Sequence, residues 1–560
     1  MKKSKWILFT ACVLTISCML ASCETAYLPL NSSTTTPTPT TTTSTEKTKK
    51  PAPNLNFNTS AVIRNEPKPE DMPHNEQLLL GGINISSFRI VYGASPLTQK
   101  ISNTGRTIAA DILPYLQGEN KDCKFDYESA VRLQALIKEL FGYDVEIIDS
   151  SKAANDISNY EIVLGDATSR DSRNRTVEGL RDDKYVCKFN IAMSNLPYHY
   201  IVAGGSYGAT WHAIDAIEQY LRDELAKDPN AVIDIGKDLD LSGSYEFKTV
   251  ACIGDSITRG SQAFPQDNGY GNASGLAAKW GGTATSVYFE QYFSYPSVLQ
   301  RELWKDHLVY NFGVGATTMR NYPEHDSNKP YATKGKLNQA LELSDQADFD
   351  FDLVLIMLGT NDSGRANVEV EYDAAYNVTR TYWNDEDVAD FKKETKFLMD
   401  EILEGSPNAQ FVLMNAPHRC NTYTGTLGTV QKDAETGAID IDPDTSKPKF
   451  TVSGLGKDIA VRDVQLKVAT QLKAEGYNVL HYNMEAYTRI EMSKNGVCGS
   501  DRSSELKAHE NYYNIKTDTG TPDTTHPNYR GYGKIAEGMQ DLLDYLLHNG
   551  EKPVYMIDLP

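Results

Sequence analysis

Two short segments, far apart in the chain, carry residue types that together could break an ester. The first is Gly254-Asp255-Ser256-Ile257-Thr258, directly after the apolar run Val250–Ile253; the second is Asp523-Thr524-Thr525-His526-Pro527-Asn528, ahead of Gly531-Tyr532 and a helical pattern. A serine hydroxyl is a poor nucleophile at neutral pH. It needs an imidazole to take its proton, and the imidazolium so formed needs a carboxylate beside it. Ser256, His526 and Asp523 fit those three roles, and an Asp and a His three positions apart near a helix start let one segment supply base and orienting acid. Acyl transfer also needs donors aimed at the developing oxyanion. Asn361, in Gly359-Thr360-Asn361-Asp362, offers a side-chain amide; Gly315, in Asn311-Phe312-Gly313-Val314-Gly315-Ala316-Thr317-Thr318, offers a backbone N–H, and Ser256 its own. Singly, each has a plainer reading: Gly-Asp-Ser as a turn, Asn361 as an Asx-turn residue, His526 as a capping or surface histidine.

These residues need strands that end where they stand. From Thr249 onward the pattern is strand, tight turn, helix, repeated, with strands expected at Val250–Ile253, Leu308–Asn311, Leu353–Met357, Phe411–Met414 and Val479–Tyr482. Helical patterns fall at Ser297–Leu303, Asp387–Leu403 and Ile459–Ala474, as a parallel sheet with crossover helices requires. The expected fold class is α/β, a three-layer sandwich with the chemistry at the carboxyl ends of its strands. Two insertions interrupt it: Ser261–Phe293, with Tyr, Phe and Gly interleaved, and the polar stretch Thr422–Lys449.

The four blocks together resemble the SGNH/GDSL hydrolase family over about Lys248–Gly550. The resemblance implies a flavodoxin-like α/β/α domain over 247–560, acylation of Ser256 and hydrolysis of the acyl-enzyme, with His526 as base and then acid and no metal or cofactor. One departure stands out. Such families usually carry Gly at the second position of the pair Gly315-Ala316, so the oxyanion amide is that of Gly315 or that of Ala316. An alanine keeps the glycine's geometry only at negative φ.

Ahead of this domain, residues 56–246 read as a smaller α/β domain, with strands at Ile85–Tyr92, Val145–Ile148 and Glu161–Leu164 and an amphipathic helix at Glu128–Phe141. Tyr200–Ala203 then leads through Gly204-Gly205-Ser206-Tyr207-Gly208 into a helical pattern reaching Leu221. That spacing matches neither the dinucleotide fingerprint nor the Walker loop, and it is read as a turn. Through Ile85–Tyr92 and Glu161-Ile162-Val163-Leu164-Gly165 the region is similar to the accessory α/β domain preceding the catalytic domain of several bacterial glycoside hydrolases. It holds no carboxylate pair suited to glycosidase chemistry and is expected to be non-catalytic.

Residues 24–55 form a Ser/Thr/Pro-rich linker with no apolar periodicity. Residues 1–23 read as a signal peptide: Lys2, Lys3 and Lys5 precede an apolar run from Trp6 to Leu20. Leu20-Ala21-Ser22-Cys23 resembles a bacterial lipobox, which implies lipid attachment at Cys23 and an extracytoplasmic chain tethered to a membrane, the alternative being free secretion. Beyond Cys23 the cysteines are Cys123, Cys187, Cys252, Cys420 and Cys498, without metal-site spacing; Cys123–Cys187 and Cys420–Cys498 are open possibilities for disulfides. With 55 basic against 75 acidic residues the net charge is −20, which argues against a nucleic-acid partner.

Lipid anchor, accessory domain and aromatic-bearing insertion point to an acylated extracellular carbohydrate as the substrate partner. A lipase-like or lysophospholipase activity would call for an apolar groove or an amphipathic flap, whereas the insertion beside Ser256 is rich in Gly and polar residues. A non-catalytic glycan-binding protein is the third reading; the intact set of catalytic residue types speaks against it.

Overall fold

The structure, a computed structural model, describes residues 78–93, 124–153, 160–190, 199–261, 293–322, 350–417, 426–494, 512–515 and 522–560, apart from a few scattered positions, together with Leu337 and Ala340. The signal, linker and Cys23 assignments and nearly all of the Ser261–Phe293 insertion lie outside the described residues, as do Cys123, Cys420 and Cys498.

In the N-terminal domain a small sheet of β1 (Leu78–Leu80), β2 (Ile83–Asn84) and β8 (Ile233–Ile235) accompanies a six-stranded one. The larger sheet has the order β4 (Glu146–Asp149), β3 (Phe88–Tyr92), β5 (Tyr160–Leu164), β7 (His199–Gly204), β6 (Lys184–Phe189), β9 (Gly243–Ser244). Its first four strands are parallel. Helices α1 (Lys124–Phe141), α2 (Asp171–Val177) and α3 (Tyr207–Lys227) complete the domain, whose main core lies among α1, α3 and the large sheet. The strand expected over Ile85–Tyr92 begins only at Phe88. Ile85–Ser87 form a 3₁₀ turn, because the Asn84 side chain accepts the Ser86 N–H (2.9 Å) and so offers the backbone a local partner in place of a ladder. Glu161 is buried within β5 and is neutralised by Arg170 (2.7 Å) and Arg89 (2.7 Å), a pairing that a buried charge requires. The glycine-rich segment after β7 is the entry to α3, capped by Ser206, whose Oγ accepts the Ala209 N–H. Cys187 is a free, buried thiol that donates to the Ala213 carbonyl, which corrects the Cys123–Cys187 disulfide possibility.

The C-terminal domain has the sheet order β11 (His307–Gly313), β10 (Lys248–Gly254), β12 (Leu353–Met357), β15 (Gln410–Met414), β18 (Val479–Tyr482), β21 (Met556–Ile557). The first five are parallel and lie where the sequence pattern puts them; β21 adds antiparallel to β18. Alternate residues of each strand feed two cores. Val250, Cys252, Leu353, Leu355 and Met357 face α5 (Tyr295–Leu303), α8 (Met484–Lys494) and α9 (Tyr529–His548). Ala251, Ile253, Val354 and Ile356 face α6 (Asp385–Gly405) and α7 (Gly454–Ala474). Burial on both faces is why these strands read as unbroken apolar runs instead of alternating ones. The result is the expected α/β/α sandwich beside a smaller α/β domain.

Two antiparallel hairpins rise from the carboxyl-end side of the sheet. One pairs β13 (Val368–Tyr372) with β14 (Val378–Trp383) and was not among the strands expected. The other, β16 (Gly428–Val430) with β17 (Phe450–Val452), shows that the described part of the Thr422–Lys449 stretch is a ribbon, extended by bridges Lys432–Ile439 and Ile441–Pro448. The domains meet along the edge strand β11: Tyr310 donates to Asp182 (2.5 Å), and Trp211 packs edge-on against Trp304.

Candidate active site

β10 has β11 on one side and β12 on the other, so strand order reverses around it, and a crevice opens at the carboxyl ends of such strands. Ser256 follows β10, the Gly315 block follows β11 and Asn361 follows β12. Ser256 is the first residue of a single-turn helix, α4 (Ser256–Arg259), whose N-cap is Asp255; the buried Asp255 carboxylate accepts the Ile257 N–H at 2.8 Å. The glycines here answer to close approach. A β-carbon on Gly254 would lie 1.9 Å from Thr258 Oγ1, and one on Gly313 2.2 Å from the Arg259 nitrogen. The C-terminal end of β11 therefore lies directly against α4.

His526 reaches the same point from the other end of the chain. It lies in β20 (Pro522–Pro527), paired with β19 (Tyr513–Ile515), and Asn528 caps the following helix α9 by accepting the N–H groups of Arg530 and Gly531. Tyr532, one turn into α9, donates to the Ser261 carbonyl (2.8 Å) and ties that helix to the segment just after α4. Across this junction His526 Nε2 stands 2.8 Å from Ser256 Oγ, hydrogen-bonding distance for proton transfer. Asp523 lies in β20 three positions before His526; its side chain is outside the described residues.

The two residues of the Gly315-Ala316 pair differ in conformation. Ala316 has φ +64°, the left-handed region, so the alanine occupies the conformation that suits the glycine usual there and carries the strain. The vacant side-chain position of Gly315 lies toward the nucleophile: a β-carbon there would stand 4.0 Å from Ser256 Cβ. The Asn361 amide nitrogen donates to the Thr317 carbonyl at 2.8 Å and lies 3.5 Å from Asp255 Oδ2, which stitches the three strand-end blocks together. Asp362, the next residue, accepts the Met319 N–H at 2.9 Å. Burial, reinforced by the charge of Asp255, pushes its carboxyl up to about 6. Cys252, one strand position away from the site, is buried, which raises its thiol far above the ordinary range and leaves it inert.

Sequence reasoning missed Arg259. It is three residues after Ser256 on one helical turn, the spacing that puts two side chains on one face, and this was the signal available. Its Nη1 lies 3.6 Å from the position of a Gly315 β-carbon, the same position that Ser256 flanks. Among the described residues there is no group of His, Cys, Asp and Glu able to hold a metal ion, and no helix is long and apolar enough to cross a membrane.

Compared with known proteins, residues 250–539 match the model of the GDSL-like Lipase/Acylhydrolase family. No curated protein matches the sequence. Among solved structures, an active-site mutant of a family two carbohydrate esterase from Clostridium thermocellum, in complex with a cello-oligosaccharide, is 14% identical with a TM-score of 0.30. That match covers 55% of this chain and 66% of the other, so the chain spans just under two thirds of that protein. The acetyl xylan esterase Est2A from Butyrivibrio proteoclasticus is 14% identical, with a TM-score of 0.28 and 55% and 67% covered. A carbohydrate acetylesterase family member from Sinorhizobium meliloti is 16% identical, with a TM-score of 0.28 and 54% and 100% covered.

Proposed function

The chain belongs to the GDSL-like lipase/acylhydrolase family, and on that premise we propose that it is a serine esterase that removes acetyl or other short acyl groups from an extracellular polysaccharide. The observation that carries the mechanism is the 2.8 Å contact between Ser256 Oγ and His526 Nε2. Ser256 Oγ attacks the acyl carbon while His526 takes its proton; the carbonyl electron pair moves onto oxygen, where the N–H groups of Ser256 and Gly315 receive it. The tetrahedral species collapses, the sugar alcohol leaves with the proton from His526, and a water activated by the same imidazole releases the acid and restores Ser256. Asp523 holds the imidazole in the tautomer this sequence of steps needs.

A carbohydrate substrate is supported by the two hairpins on the site's side of the sheet. Tyr372 and Tyr376 are exposed there with ring planes 25° apart, and Phe450 lies 4.8 Å from Tyr372, a set of faces suited to sugar rings. Lys2, Lys3 and Lys5, the apolar run and Leu20-Ala21-Ser22-Cys23 support export with a lipid anchor at Cys23.

The test is acetate release from acetylated oligosaccharides and short p-nitrophenyl esters by the purified chain and by Ser256→Ala. Loss of about 10⁴-fold or more in kcat for a variant that remains folded is the expected result. Retained turnover in that variant refutes the serine mechanism, and a preference for long acyl chains refutes the polysaccharide assignment.

A further inference from the structure

Acidic residues outnumber basic ones 75 to 55 in this chain, so an arginine rarely lacks a carboxylate. In the C-terminal domain Arg320 faces Asp390, Arg380 faces Glu371, Arg462 faces Asp463 and Arg489 faces Glu485. Arg259 is different. It is half-buried on α4, and among the described residues its guanidinium meets no carboxylate. It is also the cation beside the nucleophile, since its Nη1 (3.6 Å) and Ser256 Cβ (4.0 Å) flank the same side-chain position of Gly315. That position is empty because residue 315 is glycine. The helix is pinned under it by the contact of Gly313 with the Arg259 backbone and by the bond between Thr258 and Tyr295 (3.1 Å), so the cation is held near the point of attack.

Holding a guanidinium half out of water without a counter-ion costs free energy, and an anion that enters with the substrate recovers it. The planar fork of an arginine matches a carboxylate in two parallel hydrogen bonds. We propose that Arg259 is a specificity-determining residue that binds a carboxylate carried by the alcohol portion of the ester, so that the substrate is an acylated glycan containing uronic acid. This rests on the reading of the chain as an acyl-glycan esterase: an acetyl group has no charge, and the anion therefore belongs to the sugar.

The experiment measures acetate release from an acetylated oligogalacturonide and from the same oligomer with its carboxylates methyl-esterified, with p-nitrophenyl acetate as a probe of the serine chemistry. Wild type, Arg259→Gln and Arg259→Lys are compared by the ratio of kcat/KM for the free acid to that for the methyl ester. The ratio lies within each protein and is unaffected by the fraction folded. The wild type is expected to favour the free acid by about 10- to 100-fold, the range of one charge-assisted hydrogen-bonded pair. The ratio falls to about one in Arg259→Gln and keeps part of its value in Arg259→Lys, which retains charge without the fork. A wild-type ratio near one, or a ratio that survives Arg259→Gln, overturns the assignment of Arg259. So does hydrolysis of p-nitrophenyl acetate alone. If the wild type releases acetate from none of the three, the esterase reading itself fails, an outcome distinct from the others.

Discussion

Replacing Asp126 by asparagine isolates one buried carboxyl whose cost is set by its surroundings. Asp126 lies on α1 with its carboxyl fully buried at the carboxyl ends of β3 and β5, against Gly93 and Gly165, where a β-carbon on either glycine would collide with it. One oxygen accepts the Asp166 N–H at 2.7 Å; the other, Oδ1, has no partner. Burial, with the charge of Asp166 added, raises its pKa from 3.8 to about 8. In the folded protein it is therefore neutral up to about pH 8, while in the unfolded chain it ionises above pH 3.8. The sign follows: the unfolded state binds fewer protons in this window, so stability is greatest below pH 3.8 and is lost as pH rises toward 8. The loss is about 1.4 kcal/mol per pH unit, or about 4 kcal/mol between pH 5 and pH 8. An asparagine keeps the acceptor for Asp166 and is neutral in both states, so Asp126→Asn removes this dependence. Urea unfolding of the full chain at pH 5 and pH 8, followed by tryptophan fluorescence, reads the difference. The variant's advantage over the wild type should grow by about 4 kcal/mol between the two pH values. An advantage equal at both, or a variant less stable at pH 8, refutes the reasoning.

Ala316→Gly relieves the left-handed backbone at φ +64° and should stabilise the folded chain by about 1 kcal/mol, measured by chemical denaturation. Cys23→Ala should move the protein from the membrane fraction to the soluble exported fraction of cells expressing it; a protein that stays with the membrane argues against the lipid anchor.

The local chemistry was legible in the chain. Gly254-Asp255-Ser256 directly follows an apolar run, and a glycine and an N-capping aspartate at a strand end specify a tight turn into a helix whatever lies elsewhere. The five parallel strands were legible for a related reason: burial on both faces writes itself as unbroken apolar runs at regular spacing. The pairing of Ser256 with His526 was an inference from residue types, because the two are brought together only when β10 and the ribbon of β19 and β20 converge. Two other elements were missed, the first despite the period-2 alternation that marks a strand. The hairpin of β13 and β14 alternates Val368, Glu369, Val370, Glu371 on an exposed ribbon, and β21 is two residues long. Tertiary structure alone decided that Ala316 takes a left-handed backbone and that the open side-chain position of Gly315 lies beside Ser256, since both depend on where β11 meets α4. It also decided that Arg259 stands beside Ser256 with no carboxylate partner among the described residues. A charge's partners are set by which surfaces the fold brings within a few ångströms, a property of the folded chain that composition and spacing do not encode.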